Sequence, residues 1–206
     1  MANLPKCCVS GVRLMSELCD KVEKAISTKD LIARNHPMLT DWGVRDEDVL
    51  IHSLGCSAWN SIGQELGYMA VCECPAPGAY SADIRSDSAW FSRASKKPEV
   101  LIEFERFDGT DRCVKKLDEK IRNLLDAADR WRQAPNLLVL SAWSQGVVSA
   151  PNTSGFVDLF HRGFKTGIGA QVPAMRNVAV LFNRMIFQRS TDGTLTLAYL
   201  LNERLQ

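Results

Sequence analysis

The chain is poor in the features that mark whole classes of protein. It carries no surplus of charge, since 25 Lys and Arg face 24 Asp and Glu for a net charge of +1. A bulk electrostatic footprint of nucleic-acid binding is therefore missing, although a local basic face balanced by acids elsewhere is compatible with that count. The seven cysteines are odd in number and no pair has CxxC spacing, so neither a disulfide framework nor a zinc ribbon is indicated. Buried thiols in a reducing compartment are the reading that remains. Cys72 and Cys74, at alternate positions, are expected on one face of a strand.

No apolar run approaches about 18 residues, and no charged-then-apolar leader opens the sequence. No membrane partner is expected, and the expected localisation is cytoplasmic. Ser-His-Asp, Walker-type and GxGxxG patterns are absent. The glycine-rich stretch 163–169 lacks Gly-Lys-[Ser/Thr] order and reads as a flexible loop. The three histidines, His36, His52 and His161, lie far apart and show no ligand spacing.

What is present is an ordinary globular composition, 46% hydrophobic and 24% charged in 206 residues. That length suits a single domain, residues 1–206. Apolar residues at Val12, Met15, Leu18, Val22, Ile26 and Leu31 predict a helix over 10–34, with Ser10 as cap, ended by His36-Pro37. A second helix is predicted over 46–66, stopped by Gly67. Strands are expected at 68–74, 80–85 and 100–107, with a polar loop at 86–98. The spacing turns helical again over 111–132, and the continuous apolar run 136–142 reads as a strand buried on both faces. A short helix at 156–164 follows. Two strands at 178–188 and 194–201 then flank the turn Thr191-Asp192-Gly193. Trp42, Trp59, Trp90, Trp131 and Trp143 are mostly core candidates by their periodic settings. The fold class expected is α/β, a central mixed β-sheet flanked by helices.

The acids stand out against this background. On a strand, Glu103 and Glu105 point to one face, about 7 Å apart, and Ile102 and Phe104 to the other. Two carboxylates in that setting repel one another and call for compensation, which a divalent cation with oxygen ligands supplies. Asp83 meets Glu103 if its strand is the antiparallel neighbour. Glu65, near the end of the preceding helix, is a further candidate ligand.

The order helix, strand, strand, strand, helix, strand resembles the core of the PD-(D/E)XK superfamily, the restriction-endonuclease-like nucleases. The resemblance covers roughly residues 46–142, with 1–45 an N-terminal helical segment and 151–206 a C-terminal extension with a hairpin. It rests on Pro77-Gly78-Ala79-Tyr80-Ser81-Ala82-Asp83 and on Ile102-Glu103-Phe104-Glu105-Arg106. It implies Mg²⁺- or Mn²⁺-dependent hydrolysis of DNA phosphodiesters, in which the metal polarises the phosphate and activates water. A homodimer would let a single-site domain cut both strands.

Carried over, Asp83 and Glu103 are the metal carboxylates, with Glu65 an additional one. The third position, usually Lys in that family, is Glu105. Three alternatives stay open. Glu105 itself serves as base or metal bridge, or the lysine role has moved to Lys120 on the next helix, which ranks above the adjacent Arg106 because alternation points Arg106 away from Glu103 and Glu105. In the third, the site is catalytically degenerate and the protein is a nucleic-acid- or protein-binding module. Apart from the resemblance, Glu103 and Glu105 also fit the wet face of an edge strand, partnered by Arg106, Arg112 or Lys116.

Overall fold

A computed structural model of the chain describes residues 6–47, 49–78 and 83–205, with side chains from residue 17 onward except at 49 and 50. The elements run α1 (Lys6–Ser27), α2 (Asp30–Asn35), α3 (Pro37–Thr40), α4 (Val49–Glu65), β1 (Met69–Pro75), β2 (Arg85–Phe91) and β3 (Pro98–Arg106). They continue α5 (Asp111–Arg130), β4 (Leu137–Gln145), α6 (Ser154–Arg162), β5 (Phe164–Lys165), β6 (Gln171–Val172), β7 (Ala179–Arg189) and β8 (Leu195–Arg204).

Six strands form one mixed sheet in the order β1-β2-β3-β4-β7-β8. β1, β2 and β3 pair antiparallel, β3, β4 and β7 parallel, and β8 returns antiparallel through the turn at 191–193. The uninterrupted apolar run of β4 is explained by its place between two parallel neighbours, with helices over both faces. One face is covered by α1 to α4, whose Val22, Ile26, Trp59 and Ile62 pack on Trp90, Ile102, Phe104 and Val139. The other is covered by α5 and α6, through Leu117, Ile121, Leu124 and Phe156.

Two helices frame β2 and β3 from opposite faces. In α4, an added Cβ at Gly55 would stand 2.2 Å from the Phe104 ring, and one at Gly63 would stand 2.7 Å from Trp90. These glycines cost helix propensity, yet they let α4 lie close upon β2 and β3. On the opposite face α5 starts at Thr110, whose hydroxyl accepts from the Cys113 N–H at 3.4 Å, with Asp111 in the first turn. Its stripe Cys113, Leu117, Ile121, Leu124 and Ala128 is buried, and Lys116 and Lys120 rise along the edge of that stripe toward β3.

Several expectations need correction. The first helix is two, because Lys29 takes a left-handed backbone (φ 61°) and its ammonium donates to the Leu197 and Ala198 carbonyls. It begins at Lys6, so Ser10 lies inside it and does not cap it. Residues 79–82, which include the first half of the strand expected at 80–85, lie outside the described residues; Asp83 and Ile84 are not in a strand. The strand is Arg85–Phe91, in the segment read as a polar loop. Ser86, Asp87, Ser88 and Ala89 look solvated in sequence, but a central antiparallel strand buries them all. Trp42 is 68% exposed and is not core.

Cys72 and Cys74 do not share a face either. Glu73 between them has φ 48°, and pairing with β2 skips it, from Cys72↔Ser88 to Cys74↔Ser86. The kink turns Cys72 toward Asn60 of α4 and Cys74 into the α5-side core.

Candidate metal and phosphate site

The antiparallel pairing of β2 with β3 runs as far as Ser88↔Ile102 and stops. One step further, Asp87 stands across from Glu103. The Phe104 N–H donates to Asp87 Oδ2 at 2.7 Å, a side chain taking a place that the ladder has vacated. Asp87 is 6% exposed and Glu103 is fully buried. From α5, Lys120 Nζ donates to Glu103 Oε2 at 2.6 Å and lies 3.8 Å from Asp87 Oδ2. Two acids and one lysine from three elements thus meet where two strands part.

This cluster is not electrostatically closed. Glu103 Oε1 is buried and has no hydrogen-bond partner. An unsatisfied carboxylate oxygen in a buried site is expensive, and a proton or a cation is what relieves it. Burial first, and then the Asp87 charge, push the Glu103 carboxyl up to about 8, against the pull of Lys120. Lys120 is held above its ordinary value by Glu103 and Asp87, although burial works the other way. Glu103 and Lys120 therefore hold their protons more tightly than they would in water.

Glu105, two residues along β3 and 18% exposed in its side chain, lies 3.8 Å from Lys116 Nζ. Its Oε1 accepts from the Arg106 N–H. A cleft of about 630 Å³ opens beside it, lined by His52, Glu105, Arg106, Arg112, Lys116 and Lys120 among others. Four basic side chains thus line one cleft beside two acids, Glu105 and Asp108, a local excess of positive charge. Arg106 lies over the Trp143 ring at 5.4 Å, toward the α4 side of the sheet as alternation requires.

Of the residues singled out in the sequence, Glu103, Glu105 and Lys120 come together, and Asp83 and Glu65 do not join them. Asp83 precedes β2, is 61% exposed and pairs with Arg85 at 2.7 Å. Glu65, at the last turn of α4, is 46% exposed and pairs with Arg34 at 3.3 Å. The acid of β2 that faces Glu103 is Asp87, four residues beyond the one chosen from sequence.

Compared with known proteins, the chain matches no family model, no curated protein and no solved structure. The chemistry of the site is what remains to indicate its role.

Two further residues escaped the sequence reading. His52 and Cys56, four apart and so one helical turn apart on α4, come with Asp87 to within 4.8 Å of one another by their ligand atoms. The group can hold a metal ion. His52 stacks on Phe104, centroids 5.8 Å apart, which fixes the ring's direction. The His-x-x-x-Cys spacing was a usable signal, but it needed the acid from β2 to become a cluster. Among the described residues no helix is long and apolar enough to cross a membrane.

Proposed function

We propose that the protein is a divalent-metal-dependent nuclease of the PD-(D/E)XK type, hydrolysing phosphodiester bonds in DNA. Asp87 and Glu103 are its metal carboxylates, and Lys120 is its lysine, supplied from α5 instead of from β3. The observation that carries this is the buried, unpartnered Oε1 of Glu103, across from Asp87 and with Lys120 at 2.6 Å. Strand order supports it: three antiparallel strands, a helix and a strand parallel to the third follow the order of that core.

Two hard carboxylate donors suit Mg²⁺ or Mn²⁺. Such an ion, held by Asp87 and Glu103, would supply charge neutralisation at the phosphate and an acidified water. The chain's own groups account for the rest. Arg112 and Lys116 draw the phosphate backbone into the cleft. Lys120, bonded to Glu103, is placed to orient the attacking water by its ammonium protons, and Glu105 at the cleft wall can accept that water's proton. The water oxygen bonds to phosphorus as its proton passes to Glu105, the bond to the 3′ oxygen breaks, and that oxygen leaves as a hydroxyl with a proton taken from solvent.

The test is cleavage of plasmid and single-stranded DNA in Mg²⁺ or Mn²⁺ by the wild type and by Asp87→Asn, Glu103→Gln and Lys120→Met. Cleavage by the wild type that all three variants lose is expected. Equal cleavage by wild type and Glu103→Gln overturns the assignment. DNA binding with no cleavage in either metal would favour the binding module instead.

A further inference from the structure

Asp87 faces two donor sets of different chemical character. Toward α5 and β3 its neighbours are a carboxylate and an ammonium; toward α4 they are an imidazole and a thiol. We propose that His52, Cys56 and Asp87 form a second metal site, selective for a zinc-class ion, whose occupation disables the carboxylate site by taking Asp87.

The geometry fits such an ion. Zinc binds nitrogen at about 2.0–2.1 Å, thiolate sulfur at about 2.3 Å and carboxylate oxygen at about 2.0–2.2 Å, so tetrahedral donors stand roughly 3.5 Å apart. The three ligand atoms already lie within 4.8 Å of one another with no ion to draw them in. The scaffold is rigid on both sides. His52 and Cys56 sit on successive turns of a helix pinned to the sheet at Gly55 and Gly63, and His52 is stacked on Phe104. Asp87 is tethered by the Phe104 N–H. Three protein ligands leave a fourth position for water, and His52 borders the open cleft.

Selectivity follows from the donors. Imidazole and thiolate favour Zn²⁺ or Co²⁺ over Mg²⁺, which prefers an all-oxygen shell. Cys56 is 8% exposed, and burial together with the Asp87 charge raises its thiol well above the ordinary value, so it is protonated until an ion arrives. On binding, the proton leaves to solvent and the thiolate is held by the metal.

Binding at this site stands apart from the nuclease reading; only the inhibition rests on it. The experiment titrates Co²⁺ into the full-length, metal-free protein and records the absorption spectrum. A thiolate-to-cobalt charge-transfer band saturating at one equivalent is expected. Cys56→Ser should abolish it, and His52→Gln should weaken Co²⁺ binding by at least about tenfold. No band in a folded wild type, or an undiminished band in Cys56→Ser, overturns the site. In Mg²⁺-dependent cleavage, one equivalent of Zn²⁺ should suppress the wild type and spare Cys56→Ser; equal suppression of both overturns the coupling. Absence of cleavage in any metal, with the cobalt band present, would remove the nuclease reading and leave the zinc-class site standing.

Discussion

Two of the buried polar clusters on the sheet are built on opposite principles. Between β4, β7 and β8, Ser141 donates to Asn183 Oδ1 at 2.8 Å, and Asn183 Nδ2 donates to Asn202 Oδ1 at 2.9 Å. Ser141 and Asn183 are fully buried, uncharged and satisfied. Between β2, β3 and α5 the cluster is charged, and it leaves one carboxylate oxygen without a partner. A closed neutral network fixes register and needs nothing further. An open charged one spends stability and is relieved by what binds there. The contrast assigns structure to the first and chemistry to the second.

The largest expected effects break the open cluster. Glu103→Gln and Lys120→Met should each lower metal-dependent cleavage by about 10²–10⁴-fold, the range for losing a positioned proton-transfer or charge-stabilising group. Thermal denaturation of Glu103→Gln near neutral pH should show little change, since the folded state already holds the Glu103 proton and the amide oxygen of the variant can still accept from Lys120. A large fall in melting temperature would place Glu103 with the structural network instead. Asn183→Ala should do the reverse. It orphans the Ser141 and Asn202 groups, costing about 1–3 kcal/mol by denaturant titration while cleavage is kept.

A pH scan sharpens the comparison with a smaller effect. The Glu103 carboxyl rises on folding from its ordinary 4.5 to about 8, so the folded state holds the proton more tightly. Its contribution to stability is full below about 4.5 and is lost as pH rises through about 8. Metal-free wild type should therefore lose stability between those values, measured by urea midpoints, and Glu103→Gln should flatten the slope. A slope unchanged in that variant would mean that another group titrates there.

Much of the fold was legible in the sequence. The periodic stripe Val114, Leu117, Ile121, Leu124 and the apolar run at 136–142 announced α5 and β4, because helical and buried-strand patterns are local. Glu103, Glu105 and Lys120 were found because two of them alternate on one strand and the third sits at a stripe edge. The missing parts depend on register. β2 reads Arg-Ser-Asp-Ser-Ala-Trp-Phe, polar in composition, and only its central place in the sheet makes it a strand. The His52–Cys56 spacing went unused for the same reason, since its third member came from that strand.

The smallest effect separates the two aspartates that the sequence offered for one role. Asp83→Asn breaks an ion pair with Arg85 whose side chains are 61% and 52% exposed. Solvent screens such a pair, and substitutions of this kind usually change stability by less than about 0.5 kcal/mol. Cleavage should be within about twofold of wild type, because Asp83 reaches neither Glu103 nor Lys120 and no buried group depends on it. Asp87→Asn, four residues on, changes no more atoms, yet it removes a charge that faces Glu103, Lys120, His52 and Cys56 at once. If Asp83→Asn proved the more damaging of the two in the cleavage assay, β2 would have to present its other end to the substrate, and the ordering of the two polar clusters would fall with it.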